Sequence, residues 1–128
     1  MSLREQLRIL VVDDMAVSRG LLTQALDQLR ISNYKYVANG EEAVQFLQRT
    51  PVHLVISDYN MPVMDGLALL RAIRSTAATA KLGFIMVTGS EDSSLIQQGA
   101  ALGMNNFLRK PFDAASLQNC IEKVFGRL

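Results

Sequence analysis

Four short apolar runs punctuate this chain, and each stops at a polar residue of a kind that handles phosphate or its counter-ions. Ile9-Leu10-Val11-Val12 stops at Asp13-Asp14, and Val52 to Ser57 stops at Asp58. Phe84 to Val87 stops at Thr88, and Phe107-Leu108 runs out into Arg109-Lys110-Pro111. Short β-branched runs bounded by turn signals read as strands of a parallel sheet, buried on both faces. In open parallel sheets, ligands bind in the crevice beyond the carboxyl ends of the strands. The pattern therefore predicts that three carboxylates, a hydroxyl and an ammonium meet at one edge.

Between the runs the apolar residues recur at helical spacing, which is the alternation of βαβ units. A first helix is expected after Asp14, with Val17, Leu21, Leu22, Ala25, Leu26 and Leu29 on its core stripe. Tyr34 to Ala38 alternates and reads as a second strand. Asn39-Gly40-Glu41-Glu42 offers an N-cap with Glu at N3 ahead of Ala43, Val44 and Leu47. Asp65 is placed to cap a helix carrying Leu67, Leu70 and Ile73. Leu95, Ile96, Gly99 and Ala100 mark a fourth helix, stopped by Gly103, and Asp113 opens a fifth with Leu117, Cys120, Ile121 and Val124. Five strands and five helices in an α/β sandwich account for residues 1–128 as a single domain.

Composition narrows the classes further. A net charge of +1 gives no electrostatic footprint for nucleic acid. No apolar stretch approaches the roughly 18 residues of a spanning helix, and the first residues lack a signal-peptide core, so a cytoplasmic protein without membrane insertion is expected. Cys120 is the only cysteine, so neither an internal disulfide nor a cysteine zinc cluster can form. It is expected to be a buried structural thiol, and the lone His53 a surface or strand-start residue.

Convergence of Asp13, Asp14 and Asp58 calls for compensation. Two carboxylates about 4 Å apart repel by roughly 4 kcal/mol at an effective dielectric near 20. Lys110 supplies one positive charge, which leaves the cluster net negative. Mg2+ is the cation expected, because it prefers oxygen ligands and is commonly held by one or two carboxylates with a phosphate oxygen. Calcium fits less well, since no Asp-rich loop with its glycine and terminal glutamate is present. The bland alternative is that Asp14 merely caps the first helix. Asp58 and Lys110 at the ends of other strands weigh against it.

The segment Asp58-Tyr59-Asn60-Met61-Pro62-Val63-Met64-Asp65-Gly66 resembles the phosphoacceptor motif of bacterial two-component response-regulator receiver domains. It occurs together with Asp13-Asp14, Thr88-Gly89 and Lys110-Pro111-Phe112, and the resemblance spans essentially the whole chain. With no output domain attached, the chain is most similar to the stand-alone chemotaxis (CheY-like) type. The resemblance implies a flavodoxin-like (βα)5 three-layer sandwich with strand order 2-1-3-4-5. It also implies a function: Asp58 takes a phosphoryl group from a sensor histidine kinase, forming an aspartyl phosphate.

Further roles follow from the same resemblance. Asp14 and Asp58 would bind Mg2+ directly, Asp13 directly or through water, and Asn60 through its backbone carbonyl. Lys110 would pair with a phosphoryl oxygen, and Thr88 would donate its hydroxyl to the phosphoryl group. Gly89 would leave room for the phosphoryl oxygens, and Lys110–Pro111 would be cis. Phe107 stands where many chemotaxis members carry a tyrosine switch, so a phenolic hydrogen bond is lost. Ser90 and Asn60 stand where the family controls water access to the aspartyl phosphate. The partners implied are the kinase and a flagellar motor switch protein, with the chain itself acting as a monomer. It would be a phosphoacceptor with self-catalysed transfer and autodephosphorylation, not an enzyme acting on other substrates.

Other readings keep or abandon that site. A phosphate sink or phosphorelay intermediate would use the same residues. An Asp-nucleophile phosphatase of the dehalogenase type would need a second aspartate where this chain has Asn60. A flavin or nucleotide binder would need a glycine- or hydroxyl-rich loop where residues 13–18 read Asp-Asp-Met-Ala-Val-Ser.

Overall fold

The computed structural model describes residues 2–89 and 93–128. Its strands are β1 (Ile9–Val12), β2 (Tyr34–Val37), β3 (Leu54–Asp58), β4 (Gly83–Thr88) and β5 (Asn106–Arg109). They form one sheet in the order β2-β1-β3-β4-β5, with every pairing parallel. The helices are α1 (Leu3–Gln6), α2 (Ala16–Gln28), α3 (Gly40–Arg49), α4 (Gly66–Ser75), α5 (Ser93–Ala101) and α6 (Ala114–Phe125). Among the described residues, no helix is long and apolar enough to cross a membrane.

Alternation along the strands divides the core into two layers. Ile9 and Val11 of β1 face one side, packed with Leu22, Leu26, Leu117 and Ile121 of α2 and α6. Leu10 and Val12 face the other, packed with Ala43, Leu47, Leu69 and Leu70 of α3 and α4. Because both faces are covered, β1, β3 and β4 are buried throughout, and this is why their sequences run apolar without a break.

Capping follows the sequence. Asn39 accepts from the Glu42 N–H at 2.8 Å, and Glu42 Oε1 reaches back to the Ala38 N–H at 3.3 Å. Asp65 accepts from the Ala68 N–H at 2.9 Å. Asp113 and Ser116 form a reciprocal capping box. Gly103 takes a left-handed φ of 91° after α5, where the Met104 N–H closes back on the Gly99 carbonyl at 2.9 Å.

Two expectations are corrected. Among the described residues six helices are present rather than five, because α1 is a single turn that carries too few residues to show a period. The stripe on α2 is narrower than its spacing implies: Leu22, Ala25, Leu26 and Leu29 are buried, but Val17 is 77% and Leu21 is 54% exposed. Cys120 is buried as expected, its thiol donating to the Phe107 carbonyl at 3.4 Å, and burial pushes its pKa up to about 11. His53 is exposed just before β3, and its Nδ1 accepts from the Arg8 N–H.

Candidate functional site: an acidic cleft at the carboxyl edge

At the carboxyl ends of β1 and β3, Asp13, Asp14 and Asp58 each offer a carboxylate oxygen, all within 4.8 Å of one another. At that distance each pair repels by about 3.5 kcal/mol at an effective dielectric near 20. Lys110, just past β5, answers part of this charge: its Nζ lies 3.1 Å from Asp58 Oδ1. Asp58 nevertheless titrates above the ordinary 3.8, chiefly because burial disfavours its charge. Lys110 pulls that pKa back down, while Asp13 and Asp14 push it further up.

The capping alternative for Asp14 fails. Met15 occupies the N-cap of α2, and that cap carries no side-chain hydrogen bond. Asp13 Oδ1 instead accepts from the Met15 N–H at 3.0 Å. Asp13 Oδ2 and Asp14 Oδ1 are buried without a hydrogen-bond partner. Buried carboxylate oxygens left bare beside other carboxylates are costly, and a hard divalent cation is the ligand that satisfies them. The donor set therefore fits Mg2+.

A cleft of about 370 Å³ opens beside the acids, lined by Asp58, Tyr59, Asn60, Thr88, Gly89 and Lys110. Thr88 ends β4 one position beyond Val87, the residue paired with Asp58, and is only 2% exposed. Gly89 and Asn60 are exposed at the mouth, where a Cβ on Gly89 would meet no atom of the other described residues within 4 Å. The Lys110–Pro111 peptide is cis. Phe107 is half-buried on the α3–α4 side of the sheet, paired in register with Met86. Ser90 lies outside the described residues, as do Glu91 and Asp92.

Motif spacing alone does not reveal two features. Gly66 lets the start of α4 approach β3 so closely that a Cβ there would fall 2.8 Å from the Asp58 carbonyl, and its N–H donates to Tyr59 O at 2.9 Å. Arg19 donates to the Asp13 carbonyl at 3.0 Å, a contact between residues six apart that no pattern in the chain announces.

A match to the response regulator receiver domain covers residues 9–122. The chain is a receiver domain. A probable chemotaxis protein CheY of Rhizobium etli is 44% identical to it over 128 residues, covering 100% of this chain and 99% of that protein. Chemotaxis protein CheY-3 of Vibrio cholerae is 32% identical over 126 residues, covering 98% and 97%. Among solved structures, the V. cholerae chemotaxis protein CheY4 superposes with a TM-score of 0.85 at 30% identity, covering 92% of this receiver and 98% of that one. The receiver domain of a Pseudomonas aeruginosa sensor histidine kinase, with a magnesium ion coordinated in its active-site cleft, superposes at 0.84 with 28% identity, covering 94% and 98%.

Proposed function

We propose that this receiver domain takes a phosphoryl group from a phosphohistidine of a sensor histidine kinase onto Asp58, and thereby changes its affinity for a protein partner in chemotaxis. The observation that carries the reading is the placing of Asp58. It is a buried carboxylate with an ammonium at 3.1 Å and two further acids within 4.8 Å, facing an open cleft. A carboxylate oxygen of Asp58 attacks phosphorus as the bond to the imidazole nitrogen breaks, and the imidazole leaves with the electron pair. Such transfers depend mostly on positioning and on neutralising charge at the equatorial oxygens.

Asp13, Asp14, Asp58 and the Asn60 carbonyl would hold Mg2+, as the magnesium seen in the P. aeruginosa receiver supports. Bound there, the ion would offset the carboxylate charge and that of the incoming phosphoryl oxygens. Lys110 supplies a compact positive charge to one of those oxygens. Thr88, one position beyond the Val87 that pairs with Asp58 across β3 and β4, donates its hydroxyl to another. Phosphorylation adds close to two negative charges. It biases a pre-existing equilibrium in which Thr88 moves toward the phosphoryl group and Phe107 packs further inward, altering the face made by α5, β5 and α6. Phe107 works by packing alone, having no phenolic hydroxyl.

The chemotaxis output, with the flagellar motor switch as partner, is supported by the names of the relatives and their near-complete coverage. Measuring binding to purified motor switch protein with and without phosphorylation tests it. Tighter binding of the phosphorylated form is expected; equal or absent binding in both states would refute the motor assignment while leaving the acceptor chemistry standing.

A further inference from the structure

One basic side chain is built into the corner that carries two of the clustered acids. Arg19, near the start of α2, donates from Nη1 to the Asp13 carbonyl at 3.0 Å. Its guanidinium carbon stands 5.0 Å from the centroid of the Tyr36 ring on the adjacent strand β2. Tyr36 is 58% exposed, so this ring contributes little to the core. The Asp13 backbone is thus held from two sides, because its N–H also donates to the Val37 carbonyl at 3.2 Å. Its carboxylate is fixed by the Met15 N–H at 3.0 Å, and the Met15 carbonyl in turn accepts from the Arg19 N–H at 2.8 Å. Between them these bonds pin the turn from Asp13 to Arg19. Asp13 Oδ2 and Asp14 Oδ1 are the buried oxygens they leave without a protein partner.

We infer that Arg19, stacked on Tyr36, is a positioning residue that pre-orders the Asp13–Asp14 corner for a divalent cation. This rests on the receiver reading of the acidic cleft. Charge and positioning make opposite demands here, which makes the role measurable. A guanidinium near the site repels a cation, so by charge alone its removal tightens Mg2+ binding. If it orders the ligands, its removal loosens binding, and supporting partners of metal ligands are typically worth 10- to 100-fold in affinity. Lysine keeps the charge but lacks the planar fork that can both stack on the ring and donate to the carbonyl.

The test is calorimetric titration of the unphosphorylated protein with MgCl2, alongside thermal unfolding without metal. Arg19→Ala is expected to raise the Kd about tenfold, with its metal-free Tm close to wild type. Tyr36→Leu should raise the Kd about threefold and provides the same test at a surface position if Arg19→Ala does not fold. The effects of the two should overlap in the double variant, because both remove one clamp. Arg19→Lys should recover only part of the affinity. Unchanged or tighter binding in Arg19→Ala or Tyr36→Leu overturns the inference, as does full recovery in Arg19→Lys. Wild-type protein that takes up no Mg2+ would overturn the reading of the cleft itself, and the clamp with it.

Discussion

Asp58 illustrates what a buried carboxylate costs its own fold. Burial raises its pKa, so the folded state holds the Asp58 proton more tightly than the unfolded chain does. Its contribution to stability is therefore greatest below the ordinary 3.8 and falls as pH rises through the window between that value and the raised folded one. Above the window the ionised group carries its full penalty. Asp58→Asn removes the charge, so without Mg2+ the variant is expected to melt above wild type at pH 7 and to lose that advantage on acidification. Thermal unfolding across that pH range checks this; a variant less stable than wild type at neutral pH would contradict it. Val63, in the connection from β3 to α4, carries a local backbone strain, being a β-branched residue with φ of 69° and full exposure.

At the scale of elements, α2 and α5 end in the same way but with different residues. Both close with a Schellman pattern: Ile31 N–H to Leu26 O at 3.0 Å, and Met104 N–H to Gly99 O at 2.9 Å. The left-handed position is Gly103 after α5 but Arg30, with φ of 61°, after α2. A non-glycine residue there costs roughly 1–2 kcal/mol, partly offset by the extra unfolded-state freedom of glycine. Arg30→Gly is accordingly expected to stabilise by about 0.5–1 kcal/mol, read as a rise of a few degrees in Tm. Gly103→Ala should destabilise, since its Cβ would also press within 3.0 Å of Arg74 Nε. That side chain ties the end of α4 to Leu82 O at 2.7 Å and Gly103 O at 2.8 Å. The Arg30 stop illustrates the limit of reading elements from sequence. Fully buried strands and the acidic or amide caps Asn39, Asp65 and Asp113 announce themselves by residue type. A helix end that uses an ordinary residue does not, nor does the one-turn α1. Val17 and Leu21 mislead in the converse way: their period is helical, yet both stand exposed.

For the molecule as a whole, the sheet order brings four strand ends to one edge, and that is where residues distant in sequence become a site. Asp13, Asp58, Thr88 and Lys110 were legible because each stands at or just beyond the end of a largely apolar run. Their meeting depends on parallel pairing in the order β2-β1-β3-β4-β5, which residue type alone does not specify. Arg19 was illegible because it acts through a main-chain contact, and Gly66, though part of the motif, gave no sign of the close approach it permits. The clustered acids also predict a global linkage: a cation bound only by the folded state stabilises it by about 1.4 kcal/mol at ten times its Kd. Mg2+ should therefore raise Tm in wild type and much less in Asp13→Asn, and an equal rise in both would separate the ion from these carboxylates. The most direct test of the central claim is intact mass after incubation with acetyl phosphate and Mg2+. One added phosphoryl group is expected, lost on chelation and absent in Asp58→Asn; persistent labelling of that variant would place the acceptor elsewhere and contradict the role assigned to Asp58.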